Sequence, residues 1–323
     1  MNLRIVERIH SRIKKLDLDL SNEVVLTEVG SNKYMYTPII PVLARAKKVY
    51  AWVRDSSFGS ADLIIEECTT IAKHLNCLEV LEFYKGDFCK QHLNQATIIT
   101  NSGFIRPIDK RKIDEISRGA VIPLMFEAWE LREGDIDIDY AKERGIKIGG
   151  TWENHPKLEV FKHVGALALK MAFEAGFEVF NNSILVWSND QFGLEAAKAF
   201  KAIGAKSVVV STEIKKLKQM DGIDFIFFCD YHGNTQIDKM LINNLSSERL
   251  KKIGVVHLYG LLKVENIVNI ISSLYPEKDG SNQTMSYTLS HVGINPLIDL
   301  LVAGFKVGQV LRSNKKDPIA QII

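Results

Sequence analysis

The sequence predicts an α/β protein of two doubly wound, parallel-sheet domains with a cleft between them. Three observations predict it. Short β-branched runs alternate with helical stretches, a rhythm that calls for a parallel sheet covered on both faces. The rhythm stops at a long helical segment near 156–176 and then restarts. The length, 323 residues, is that of about two domains.

Element by element, the chain opens with Leu3, Val6, Ile9, Ile13 and Leu16 at helical spacing, an amphipathic helix interrupted by too much charge for a signal peptide. Strands are expected at VVLTEVG (24–30), KKVYAWV (47–53), CLEVLEF (77–83), ATIIT (96–100) and AVIPLM (120–125). Helices are expected from about Pro38, from about Ser60 and over 108–118. In YAKERGIKIGG (140–150), Gly145 stops a helix ahead of a short strand. A long helix is read from His155 to Gly176. The second series is SILVWS (183–188), a helix from Gly193 to Ile203 ended by Gly204, KSVVVS (206–211), DFIFFC (224–229) and GVVHL (254–258). PEKDGSNQ (276–283) reads as a linker, and Asn295 to Leu311 as one helix apolar enough to pack on something large. These elements divide the chain into 1–155 plus 291–323, expected as a flavodoxin-like substrate domain, and 156–290, expected to bind a nucleotide.

The composition is ordinary for a globular protein, with 46% hydrophobic and 25% charged residues and a net charge of +2. Nothing in that balance calls for nucleic acid or an anionic membrane. The apolar runs fall short of a bilayer span. The four cysteines form no CxxC pair and have no zinc spacing with His, so reduced thiols in the cytoplasm and no metal site are expected.

Chemistry is sought where open parallel sheets bind ligands, outside the carboxyl ends of the strands. The polar clusters there are Thr27-Glu28-Val29-Gly30-Ser31-Asn32, Arg54-Asp55-Ser56-Ser57 and Thr100-Asn101-Ser102-Gly103 in the first series. In the second they are Ser188-Asn189-Asp190-Gln191-Phe192-Gly193, Asp230-Tyr231-His232-Gly233-Asn234 and His257-Leu258-Tyr259-Gly260. Capping and turn chemistry is the plain alternative at each. Segment 183–213 has the form of a dinucleotide-binding βαβ unit, with Ser188 to Gly193 in the place of G-x-G-x-x-G. Of the three glycines only Gly193 remains. Asp190 stands where the backbone would meet the pyrophosphate, and either caps the helix or leaves room for a less anionic ligand. The next strand ends in Ser211-Thr212-Glu213, with Thr212 at the expected cofactor edge.

Three stretches carry a family resemblance: ATIITNSGFIRPIDKRKIDEI (96–116), DIDIDYAKERGIKIGGT (135–151) and SILVWSNDQFGLEAAKAFKAIGAKSVVVS (183–211). They resemble the two-domain Rossmann group of D-isomer-specific 2-hydroxyacid dehydrogenases and S-adenosylhomocysteine hydrolase. The resemblance implies two Rossmann-like domains and NAD or NADP as cofactor, held by Ser188, Asn189, Asp190, Gln191, Phe192, Gly193, Thr212, His232 and His257. It implies a substrate carboxylate at Asn101, Ser102 and Gly103. Tyr259 stands where the family has its substrate-binding Arg, and Arg106 is the candidate replacement. His291, in SHVGINP, matches the family's proton-transfer His. A small-molecule substrate and a homodimer follow by the same analogy. Two alternatives keep the fold: a non-redox enzyme binding a nucleoside or S-adenosyl compound, and a non-catalytic binding or scaffold protein.

Overall fold

The structure, a computed structural model, describes residues 3–220, 222–281, 284–313 and 315–323. The chain divides into two compact units, the first of Met1–Glu159 with Ile294–Ile323 and the second of Val160–Gly293.

The first unit is built on a seven-stranded sheet. Its strands are β1 (Val24–Glu28), β2 (Lys48–Val53), β3 (Leu81–Lys85), β4 (Ile98–Ile99), β5 (Val121–Pro123) and β6 (Lys147–Thr151). The second unit contributes β7 (Ser183–Trp187), β8 (Ser207–Val210), β9 (Phe225–Phe228), β10 (Gly254–His257) and β11 (Ser273–Tyr275), and β12 (Ala320–Ile322) returns to the first sheet. The first sheet runs β12-β6-β5-β4-β1-β2-β3, parallel throughout except for antiparallel β12. The second, wholly parallel, runs β11-β10-β9-β7-β8. Within its unit the first sheet therefore has the dinucleotide-fold order 3-2-1-4-5-6, and the second the flavodoxin-like order 2-1-3-4-5. The flavodoxin-like order expected for the first domain lies in the second.

Alternation explains why both faces of the second sheet are buried. Ile184, Val186, Phe225, Phe227 and Val256 face one core. Their neighbours Leu185, Trp187, Ile226, Phe228 and Val255 face the other. In the first sheet Leu26, Trp52, Ile99, Ile122 and Ile148 fill one core. The helix Asn295–Ser313 lies against β5 and β6. It comes close because Gly304 and Gly308 share a face four residues apart. A Cβ at Gly304 would overlap Met125 Sδ, and one at Gly308 would sit 2.9 Å from Ile98 Cγ2.

Several elements differ from expectation for local reasons. The helix read from His155 starts at Lys162. His155 precedes a proline, which disfavours helical backbone, and 152–158 instead closes turns from His155 to Trp152 and from Leu158 to His155. The strand read at 77–83 moves to Leu81–Lys85, because Leu78–Val80 turns as a 3-10 segment. The helix read over 108–118 is only Lys110–Ile113, capped by Asp109 and followed by Gly119 at φ +83°. The linker read at 276–283 ends in Asn282 and Gln283, outside the described residues. Among the described residues no helix is long and apolar enough to cross a membrane, and no group of three or more His, Cys, Asp or Glu is placed to hold a metal ion. All four cysteines are free thiols.

Candidate functional site

The strand order reverses between β1 and β4 in the first unit, and between β7 and β9 in the second. Each unit thus offers one crevice at the carboxyl ends of its strands.

In the second unit that crevice is filled by the chain itself. Asp190 caps the helix Gln191–Ala202. Its Oδ1 accepts from Phe192 N at 2.9 Å, Gly193 N at 3.4 Å and the Ser188 hydroxyl at 2.9 Å. Its Oδ2 accepts from Tyr231 N at 2.7 Å. These helix N-terminal N–H groups are the ones a pyrophosphate uses in a dinucleotide site, so an internal carboxylate occupies the anion position. Gly193 is required there, because a Cβ would overlap Ser188 Cβ. Beside it, Asp230 is held above the usual carboxylate range by burial first and by the neighbouring Asp190 second. The Phe192 ring stacks on Tyr231 at 5.9 Å and meets Tyr259 edge-on at 5.1 Å. Asp190→Ala is expected to cost this unit about 2 kcal/mol, at the upper end of lost helix caps. Three backbone donors then lose their acceptor, and urea unfolding of the wild type and the variant measures the difference.

Asn189 and His232 are exposed, and Thr212 and Gln191 are half-buried. Gln191 bonds Glu195 at 2.8 Å. Tyr259 is 4% exposed and belongs to the aromatic core. His257 is fully buried at the end of β10, its Nε2 2.9 Å from the Pro276 carbonyl, and its Nδ1 has no partner among the described residues. Burial pushes its pKa down. His291 is exposed, its Nδ1 3.0 Å from the Thr288 carbonyl and its ring edge-on to Tyr287 at 4.6 Å.

The first unit's crevice has a different character. Thr100 Oγ1 donates to Thr27 Oγ1 at 3.0 Å, and it pairs with the Ser102 hydroxyl at 2.8 Å. The β1–β4 register matches Leu26 with Ile99. Continued by two residues, it puts Glu28 and Asn101 in one row on the opposite face from the threonine pair. Asn101 is 1% exposed, and neither its Oδ1 nor its Nδ2 has a hydrogen-bond partner among the described residues. Glu28 is buried under the Gly103–Phe104 turn and accepts from Phe104 N at 3.3 Å. Burial raises its pKa, opposed by that hydrogen bond and by Arg106. Arg106 Nη1 pairs with Asp135 at 3.1 Å. Thr37 Oγ1, also fully buried, has no partner among the described residues.

The structure brings Asn101, Ser102 and Gly103 together with Glu28, which stands in the strand-end cluster 27–32 but is given no role by the sequence. The available signal was a carboxylate at the end of the otherwise buried run VVLTE. Arg106 belongs to the first unit and His291 to the second.

No protein-family model matches the chain, and no curated protein matches its sequence. Solved structures do match in shape. A dipicolinate synthase protein from Bacillus halodurans has a TM-score of 0.53 at 11% identity, covering 93% of this chain and 100% of that one. The dipicolinate synthase of Bacillus subtilis has a TM-score of 0.51 at 11% identity, covering 92% of this chain and 97% of that one. The fold shared with these two is one of two parallel-sheet α/β units. D-mandelate dehydrogenase from Rhodotorula graminis matches more weakly, with a TM-score of 0.47 at 11% identity over 93% of this chain and 97% of that one. At these identities the likeness concerns the fold. In this chain the turn after β7 holds Asp190 as the cap of the following helix.

Proposed function

We propose that this chain is an enzyme acting on a small polar metabolite bound in the first unit, with Glu28 as the proton-transfer group and no dinucleotide seated on the second unit's helix. The observation that carries the reading is the Asn101 amide, buried and unpartnered in both its donor and its acceptor. Such an amide costs about 1–3 kcal/mol when left unsatisfied. A ligand offering one donor and one acceptor, such as a 2-hydroxy acid, a carboxylic acid or a carboxamide, recovers that cost. Glu28 lies in the same row as Asn101, and Arg106, whose charge acts on Glu28, supplies positive charge. Burial holds the Glu28 proton to higher pH than in a free carboxylic acid, the direction a general acid requires.

A second reading is an NAD- or NADP-dependent oxidoreductase, with Ser188 to Gly193 at the cofactor and His291 shuttling the proton. The fold favours it, and the four hydrogen bonds into Asp190 weigh against it. Were NAD or NADP bound on this helix, its pyrophosphate would need the N–H groups of Phe192 and Gly193, and Asp190 would have to turn away. Thr212 would face the ribose. The nicotinamide would supply hydride chemistry, and the chain's residues would orient substrate and hold its proton.

Thermal unfolding separates the readings. A panel of hydroxy acids, keto acids and carboxamides is titrated beside NAD, NADP and S-adenosylmethionine. A ligand at 100 times its dissociation constant adds about 2.7 kcal/mol to the state it binds. Asn101→Leu is expected to leave the ligand-free midpoint unchanged or raise it, and to abolish the metabolite shift. A variant that unfolds several degrees earlier without ligand would mean the amide is already satisfied, and the first reading falls. A shift with NAD or NADP alone selects the second reading.

A further inference from the structure

Apart from both crevices, the first unit carries a cavity of about 290 Å³ lined by Leu16, His155, Lys157, Lys306, Lys316, Asp317, Pro318 and Ile319. The fold brings these residues from four separate segments. Leu16 ends the first helix, and His155 and Lys157 follow β6. Lys306 sits in the helix Asn295–Ser313, and Lys316 to Ile319 lead into β12. The Trp152 N–H donates to the Ile319 carbonyl at 2.8 Å and ties the segment after β6 to the one leading into β12.

Three lysines and a histidine thus surround one small volume against a single carboxylate. Lys306 Nζ donates to the Asp17 carbonyl at 2.8 Å and to Gln309 Oε1 at 3.1 Å. Both acceptors are neutral, and an ammonium group has three N–H donors. One donor is therefore left, and no carboxylate forms an ion pair with Lys306 among the described residues. Asp317 Oδ1 is used locally, accepting from Ile319 N at 3.0 Å. Lys157 and Lys316 are exposed at the rim and form no ion pair among the described residues. Burial and the charges of Lys157 and Lys315 push the Lys306 pKa down, opposed by Asp17 and Asp317. An ammonium in that position gains from a bound anion.

We propose that this cavity binds a small, multiply charged oxyanion, a phosphorylated compound or a di- or tricarboxylate, at a site separate from the Asn101 crevice. Its volume lies at the small end of ligand pockets, with room for pyrophosphate, a short sugar phosphate or citrate and too little for a dinucleotide. Lys306 holds the anion from below while Lys157 and Lys316 close on it from the rim.

The test is isothermal titration of the full chain with sodium pyrophosphate, and separately with citrate, each at constant ionic strength set with sodium chloride. Saturable one-site binding is expected for at least one of the two. Lys157→Ala/Lys316→Ala is expected to weaken it at least tenfold while leaving the ligand-free melting temperature within a degree of wild type, since both side chains are exposed. Pyrophosphate binding alone identifies a phosphoryl ligand, and citrate binding alone a polycarboxylate. Either result supports the site. Absence of saturable binding by both probes, or equal affinity in the wild type and the double variant, overturns it. Asn101→Leu serves as the control and is expected to leave this affinity unchanged.

Discussion

Arg12→Ala is expected to lower the unfolding free energy of the first unit by about 3–5 kcal/mol at pH 8, the usual cost of breaking a buried ion pair from one side. Asp299 is 0% exposed, and Arg12 Nε lies 2.6 Å from its Oδ1. The contact with Arg12 is off the line of a hydrogen bond, so charge holds the pair, and the Glu159 backbone also favours the carboxylate. Arg12 also reaches Glu159 at 2.9 Å. Burial lifts the Asp299 pKa to about 6 even with Arg12 beside it. The sign follows from that lift. The folded value lies above the unfolded one, near 3.8. Its contribution to stability is therefore complete below about pH 4 and is lost as the pH rises through 6. Without the guanidinium the folded pKa climbs further, so the variant's deficit is largest at pH 8 and shrinks towards pH 5, where Asp299 is neutral. Urea unfolding at the two pH values measures this. Equal deficits at both would show that Arg12 acts through packing and not through charge.

The pair also marks the limit of what one sequence discloses. Val6, Ile9 and Leu16 announced an amphipathic helix by their spacing, and the structure buries all three. The spacing was silent about Asp299, an acidic residue in an apolar helix whose partner lies 287 positions away. Strands with unbroken apolar runs, such as SILVW and FIFF, were legible because both faces of a parallel sheet are buried. β11 and β12, three residues each, carry too little pattern to detect. Strand order was hidden for another reason. It depends on which way each crossover turns, and periodicity within a strand does not record that. The Asp190 cap was readable, because Asp ahead of a helix has a known local use. The unpartnered state of Asn101 was not, since it arises from what β1 and β4 fail to place beside the amide.

Glu28 and Gly103 make the second large effect, and it is a coupled one. Gly103 adopts φ +39°, a conformation that L side chains rarely take, and a Cβ there would overlap Glu28 Oε2. Gly103→Ala is therefore expected to cost about 3 kcal/mol, part from overpacking and part from the backbone. Glu28→Ala removes the obstructing carboxylate. In that background the added methyl group finds space, and only the backbone cost, about 1 kcal/mol, remains. The coupling between the two sites should exceed about 1 kcal/mol, whereas independent sites add to within about 0.5 kcal/mol. Four urea titrations complete the cycle. Additive costs would show that the Glu28 carboxylate does not lie under the 103–104 turn, and its place in the crevice would be lost with it. Strong coupling fixes the carboxylate there, and Glu28→Gln then isolates its proton. That variant keeps the shape and the Phe104 hydrogen bond, so ligand binding should survive while turnover falls.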